Sequence, residues 1–170
     1  VFKSICHANA QQRLDMLELA IQDHLKLQVD TRELFKTSPS YTIETLEELR
    51  SEISKVTPLI FILGQDAFCK FNQWKNWQAI LNYTHLIVIE RQELKTPFSK
   101  ELVDYLQQHE TFDIEMLKQT PHGLIYQYHA GSYPYSSTQI RAAIATHAPP
   151  LRLDKKVLDY IKEQRLYQPS

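Results

Sequence analysis

The hexapeptide Ser136-Ser137-Thr138-Gln139-Ile140-Arg141 gathers three hydroxyls and a guanidinium. It follows a predicted strand and a short loop, and it opens a predicted helix. Free backbone N–H groups and hydroxyls at a helix start form an anion site that the helix dipole strengthens. Arg141 lies about a turn and a half further on and can reach back toward a polyphosphate. A plainer reading makes Ser136 an ordinary N-cap and Arg141 a solvated charge. The hexapeptide alone leaves both open. Gly64-Gln65-Asp66 stands directly after an apolar run. A glycine there lets the chain turn sharply, and the Asp66 carboxylate would emerge at the carboxyl edge of a sheet, able to accept hydrogen bonds from sugar hydroxyls. Its plainer role is to cap a helix over 67–71. Trp74 and Trp77 are three apart, a spacing that puts them on one helical face, either as core or as a stacking platform for an aromatic ring. Pro39-Ser40-Tyr41-Thr42 opens another helix and can offer N–H groups to a small anion such as a carboxylate, or can be a simple capped junction. Lys3 and Arg91 read singly as surface charge. The seven histidines form no HxH, HExxH or HxGH pattern, so spacing marks none as a metal ligand or general base.

These residues need a frame. Leu14, Leu17, Ile21 and Leu25 repeat at helical spacing over 10–25, with Asn9 placed to cap. Residues 25–29 alternate as a strand does. Thr42 is placed to cap a helix whose Ile43, Leu46, Leu49 and Ile53 share a face, with Glu44, Glu47 and Glu48 loading its early turns favourably. Leu59 to Leu63 is a continuous apolar run ending at Gly64, as suits a parallel strand covered on both faces. Helix is predicted at 74–82, strand at 85–89, helix at 99–108, an irregular stretch at 109–123, strand at 124–129, and helices at 136–145 and 155–165. Strands alternating with helices mean a parallel sheet with crossover helices.

The 170 residues suit one domain with an ordinary core; 43% are hydrophobic and 23% charged, the balance of a soluble globular chain. A net charge of −1 argues against a surface built to hold nucleic acid by its phosphates. No apolar run approaches the roughly 20 residues of a membrane span. Cys6 and Cys69, without a CxxC or metal-like spacing, read as reduced thiols of a cytoplasmic protein. Only three glycines occur, where average usage of about 7% would give about twelve. Nucleotide-binding α/β folds concentrate glycine in the loop after their first strand. The order also opens on a helix, and the chain begins at Val1 without Met. The pattern is that of a nucleotide-binding fold entered partway through.

Joint order carries more than any single motif. Pro39-Ser40-Tyr41-Thr42, a strand with Gly64-Gln65-Asp66, then Phe71 and Trp74, a strand leading to Arg91, and finally Ser136-Ser137-Thr138-x-Ile140-Arg141 closely resemble the nicotinate-nucleotide adenylyltransferase family. The resemblance extends to Gln12-Arg13-x-x-Met16-Leu17-x-Leu19-Ala20-Ile21 and to Val157-x-x-Tyr160-Ile161 with Leu166-Tyr167, covering essentially the whole chain. It implies an α/β fold with a doubly wound, Rossmann-like parallel sheet of the nucleotidyltransferase type, and 1–170 as a single nucleotidyltransferase domain. It implies transfer of the adenylyl group of ATP to nicotinate mononucleotide, giving deamido-NAD and pyrophosphate in NAD biosynthesis, with Mg²⁺ accompanying ATP and no prosthetic group. By the same resemblance, Tyr41 and Thr42 would hold the nicotinate carboxylate, with Trp74 stacking on the pyridine ring and Gly64 and Asp66 in the acceptor pocket. Lys3, Arg91, Ser136, Ser137, Thr138 and Arg141 would contact ATP phosphates. A cytoplasmic monomer or homodimer without nucleic-acid or membrane partners is expected.

Two departures stand beside this. The family's first strand and its Gly-rich loop with H-x-G-H, whose histidines contact the triphosphate, have no counterpart in these residues. The strand-loop-helix is therefore expected to be missing from them, no catalytic residue is assigned, and the 170 residues alone are expected to be inactive. Tyr135 stands where the family usually has an aliphatic residue, a change expected to affect packing only. Two other readings stay open: an adenylyltransferase for nicotinamide mononucleotide or phosphopantetheine, and a non-catalytic nucleotide-binding protein.

Overall fold

The computed structural model describes residues 8–34, 36–90, 97–131, 136–146, 148 and 153–168. Along the chain run helix α1 (Ala10–Ile21), helix α2 (Thr42–Glu52), strand β1 (Ile60–Gly64), the short helix α3 (Gln65–Phe68), strand β2 (His85–Glu90), helix α4 (Lys100–His109), strand β3 (Ile125–His129), helix α5 (Ser137–Ala145) and helix α6 (Lys155–Glu163). Short 3₁₀ helices lie at Phe71–Gln73, Trp77–Asn82 and Ile114–Lys118. The chain divides into two compact units, one of residues 40–133 and the other of 1–39 with 134–170.

The 40–133 unit is a three-stranded parallel sheet in the order β1-β2-β3 with helices packed on it. That is the α/β class with the parallel sheet expected from the alternating pattern. β2 is the central strand, and its His85, Leu86 and Val88 are buried. Phe68, Phe71, Ile80, Leu102 and Ile125 are fully buried around it. Each such large apolar side chain contributes about 1.5–3 kcal/mol of transfer free energy. Ile43 and Leu46 of α2 join this core, as their spacing predicts.

At the amino edge of the sheet, Arg50 of α2 makes a clamp. Its guanidinium donates to the carbonyls of Thr57 (2.7 Å), Tyr83 (3.0 Å from Nε) and Pro121 (2.9 Å). Those three carbonyls precede β1, β2 and β3 respectively, so one fork ties together the points where all three strands begin. Beside it, buried His85 accepts from the Leu124 N–H at Nδ1 (3.0 Å) and donates from Nε2 to the Thr120 carbonyl (2.8 Å).

The other unit packs α1 against α6. Ala8, Val157, Ile161 and Leu166 form its buried cluster, with Met16, Leu19, Tyr160 and Tyr167 packed around it. Tyr160 donates to Asp15 across the helix pair (2.5 Å), which pushes the Tyr160 phenol up to about 12 and holds the Asp15 carboxyl below its ordinary value.

Several expectations about elements are corrected. Residues 25–29 are turn and irregular chain rather than a strand, with Leu25 fully exposed. A strand persists only where a neighbour completes its hydrogen bonds, and none is paired there among the described residues. α1 accordingly stops at Ile21, short of Leu25. β1 is parallel and among the described residues pairs with β2 alone, and Ile62 is 58% exposed on one face. β2 is more fully covered, with His85, Leu86 and Val88 buried and Ile87 and Ile89 partly so. Residues 74–82 do not form one helix. Trp74 is extended, Asn76 is left-handed (φ 49°), and only Trp77–Asn82 is helical, as 3₁₀. A left-handed residue breaks the helical path, so Trp74 and Trp77 do not share a helical face. Thr42 is the first helical residue, not the cap; Tyr41 occupies the cap position. α3 begins at Gln65 with Gly64 as its cap, so Asp66 lies inside its first turn and does not cap it.

Candidate functional site

β1 ends at Gly64, level with Ile89 of β2. This is the carboxyl edge of the sheet, where open α/β sheets bind ligands. The backbone at Gly64 is ordinary extended chain (φ −75°, ψ 155°), so conformation does not demand glycine. Space does. A Cβ at this position would meet Asp66 Oδ1 at 2.5 Å. The Asp66 carboxylate therefore folds back over the bare Cα of Gly64, exposed at the sheet edge. Its charge also reaches Cys69, whose thiol is pushed up first by burial and then by Asp66. Cys6 lies outside the described residues.

Trp74 packs part of its indole against Phe71 (5.4 Å between centroids) and Phe61 (6.2 Å), and is partly exposed. Trp77 instead packs edge-on to Tyr105 at 4.7 Å, with Phe71 5.8 Å away, as an aromatic filler of the core. Tyr105 donates to the Gln78 carbonyl, and burial pushes its phenol up to about 12. Both tryptophans are thus partly buried against the same core, Trp74 beside Phe61 and Trp77 beside Tyr105.

At the start of α2, the Tyr41 carbonyl accepts from Glu44 N–H (3.0 Å) and Thr45 N–H (3.3 Å), but Tyr41 makes no side-chain cap. The first-turn N–H groups of Thr42 and Ile43 point out of the helix end without a capping side chain. The turn after Trp74 reaches this end of α2. Lys75 Nζ lies 2.6 Å from Glu44 Oε1 and 4.4 Å above the Tyr41 ring. The Glu44 hydrogen bond holds the Lys75 ammonium above its ordinary pKa. The structure therefore brings Tyr41, Thr42 and the Trp74 turn together, and it adds Lys75 and Glu44, which sequence reasoning missed. No local signal links two residues 31 apart in the chain.

In the other unit, Ser136 caps α5. Its hydroxyl accepts from Gln139 N–H (3.2 Å), and Gln139 Oε1 accepts from Ser136 N–H (2.8 Å), a complete capping box. Ser137, Thr138 and Arg141 are exposed around this start, with Arg141 donating to the Thr138 hydroxyl at 3.4 Å. Ser136 thus spends its hydroxyl on the helix itself, leaving Ser137, Thr138 and Arg141 as the available polar groups. Lys3, Arg91 and Tyr135 lie outside the described residues. A further polar pair that the sequence did not flag closes the sheet's carboxyl edge: His129 Nδ1 and Glu90 Oε2, register partners at the ends of β3 and β2, are 2.5 Å apart. Among the described residues no group of three His, Cys, Asp or Glu could hold a metal ion.

Comparison with known proteins bears on this arrangement. The cytidylyltransferase-like family model matches residues 5–143. A Psychromonas ingrahamii protein named "Probable nicotinate-nucleotide adenylyltransferase" is 38% identical over 170 residues, covering 98% of this chain and 78% of that protein. The chain belongs to the nicotinate-nucleotide adenylyltransferase family. A Yersinia pestis member of the same name is 46% identical over 138 residues, which cover 79% of this chain and 61% of the Yersinia protein. The chain thus spans less than two thirds of that relative's length. Plasmodium falciparum nicotinic acid mononucleotide adenylyltransferase has the same fold in its complexes with APC (TM-score 0.58) and NaAD (TM-score 0.57). At 20% identity, covering 96% and 92% of this chain and 79% and 73% of theirs, those structures speak to the fold alone.

Proposed function

We propose that this protein transfers the adenylyl group of ATP to nicotinate mononucleotide, giving deamido-NAD and pyrophosphate. The observation that supports this reading is that Lys75, the neighbour of the partly exposed Trp74, reaches Glu44 and the Tyr41 ring at the uncapped start of α2. A helix N-terminus suits a carboxylate, and an indole face suits a flat aromatic ring. The two together describe nicotinate. Asp66, held at the sheet edge over Gly64, is suited to accept hydrogen bonds from sugar hydroxyls of the acceptor.

In the reaction a phosphate oxygen of nicotinate mononucleotide attacks the α-phosphorus of ATP in line. The bond from that phosphorus to the bridging oxygen breaks, and pyrophosphate leaves with the electron pair. No covalent enzyme intermediate is needed, so the protein's work is positioning and charge stabilisation. Ser137, Thr138 and Arg141 at the start of α5 are the groups we assign to ATP phosphates, with Ser136 fixing that start and Lys3 and Arg91 as further basic contacts. Mg²⁺ enters as part of the co-substrate MgATP. We read 1–170 as one nucleotidyltransferase domain. No described helix is long and apolar enough to cross a membrane. ATP and nicotinate mononucleotide as substrates support a cytoplasmic setting, with the protein as monomer or homodimer.

The test is pyrophosphate release by the full-length protein from MgATP with nicotinate mononucleotide, nicotinamide mononucleotide or phosphopantetheine as acceptor. Preference for nicotinate mononucleotide is expected. Preference for another acceptor would replace the substrate, and ATP binding without turnover on any acceptor would favour a nucleotide-binding protein.

A further inference from the structure

The start of α2 presents an electrostatic problem if it receives an anion. Glu44 is the third residue of that helix, within the same first turn whose N–H groups face outward. Its carboxylate stabilises the isolated helix end but repels a second carboxylate arriving there. Glu47 follows one turn later and accepts a hydrogen bond from the Tyr83 hydroxyl (3.2 Å), which leaves its charge in place. Lys75 is the cation that meets Glu44 directly, at 2.6 Å, while its ammonium also lies 4.4 Å over the ring of Tyr41, the cap residue. The residue before it is Trp74, and the left-handed Asn76 after it turns the chain. One side chain therefore links the stacking turn to the helix start.

We propose that Lys75 is a specificity-determining positioning residue: by pairing with Glu44 and resting on Tyr41, it cancels the charge that would repel the nicotinate carboxylate and fixes the Trp74 turn beside the α2 start. This rests on the adenylyltransferase reading above and deepens it, because it makes the choice of an anionic over a neutral pyridine ring depend on a residue that need not touch the ring. Both partners are substantially exposed, with side chains 46% and 39% accessible. An exposed ion pair adds little to folding stability. Its effect is expected in acceptor choice instead.

The experiment measures steady-state pyrophosphate release by the full-length protein, with nicotinate mononucleotide and nicotinamide mononucleotide as alternative acceptors. Lys75→Met is expected to raise KM for nicotinate mononucleotide roughly three- to tenfold, a scale set by single charges at a helix end. KM for ATP should stay within about twofold and the melting temperature should barely move, as an exposed pair predicts. The preference for nicotinate over nicotinamide falls with it. Adding Glu44→Gln to Lys75→Met removes the unpaired charge and should restore most of that preference, and Lys75→Arg should keep it. The inference is overturned if Lys75→Met leaves the acceptor preference unchanged, weakens both acceptors equally, or is not rescued by Glu44→Gln. If the unaltered protein turns over nicotinate mononucleotide while any of these holds, this inference alone fails. If the unaltered protein releases no pyrophosphate with that acceptor, the adenylyltransferase reading fails and takes this inference with it.

Discussion

Gly64 and Asp66 act as a pair whose geometry separates function from stability. Alanine fits the Gly64 backbone but not the Asp66 carboxylate, which sits where the new methyl group would be. The obstructing atom is the end of a rotatable side chain at the surface, so it can swing away at little cost. Gly64→Ala is therefore expected to change stability by no more than about 0.5 kcal/mol. It should nonetheless raise KM for nicotinate mononucleotide by about the same factor as Asp66→Asn, since both remove the carboxylate from its place. Melting curves and acceptor titrations check the two halves separately. Trp74 mixes the two effects, because its ring also packs on Phe71 and Phe61. Trp74→Ala is expected to cost about 2 kcal/mol of stability and to weaken the acceptor about tenfold, the worth of one aromatic stacking contact. KM for ATP should change far less. Equal losses for acceptor and ATP in the same kinetic series would remove the stacking role.

Elements were legible in the sequence where local chemistry decides them. The caps at Asn9 and Ser136 were readable because a capping box spans only four residues, and both form with glutamine at the third helical position. The strands at 60–64 and 85–90 were readable as short apolar runs, and the one at 125–129 by its place in the alternation of strands and helices. The strand expected at 25–29 was not, since its alternation says nothing about whether a neighbour will pair with it. The helix expected through both tryptophans failed for a different reason: Asn76 takes a left-handed conformation that periodicity does not register. Of the acceptor-side residues the sequence pointed to Tyr41, Thr42 and Trp74, but the Lys75–Glu44 pair and the Arg50 clamp depend on contacts remote along the chain. Arg50 is the stronger structural case. Arg50→Ala deprives the carbonyls ahead of all three strands of their donor, and is expected to cost about 2–3 kcal/mol, the range for hydrogen bonds to a charged group. Lysine cannot fork to three acceptors in this way, so Arg50→Lys should recover less than half of the loss. Urea unfolding midpoints of the two variants measure this, and a fully stable Arg50→Lys would show that charge alone suffices.

For the molecule as a whole, cooperative unfolding should carry the signature of one buried imidazole. His85 sits at the start of the central strand, fully buried, with Nε2–H given to the Thr120 carbonyl and Nδ1 taken by the Leu124 N–H. A second proton would have to displace the Leu124 N–H from Nδ1. Burial is the largest cause holding this histidine below its ordinary pKa, despite the opposing pull of its bond to Thr120. The unfolded chain regains an ordinary imidazole with pKa about 6.5. Below that value the unfolded state binds a proton that the folded state refuses, so stability must fall as pH drops through about 6.5 toward the lower folded value. Above about pH 7 both states hold a neutral ring and this contribution is complete. The carboxyls of Asp15 and Asp23 are also held low, by Tyr160 and Lys156 respectively, and their contribution is lost only at more acidic pH. The two windows are therefore separable. Urea midpoints measured from about pH 7.5 down to about pH 5.5 should decline for the natural chain, following the histidine window. His85→Gln should be less stable at neutral pH, because it loses one of the two ring contacts, yet should show a flatter decline over the same range. An equal slope in both proteins would mean that other groups, and not this strand-leading histidine, govern the acid limb of stability.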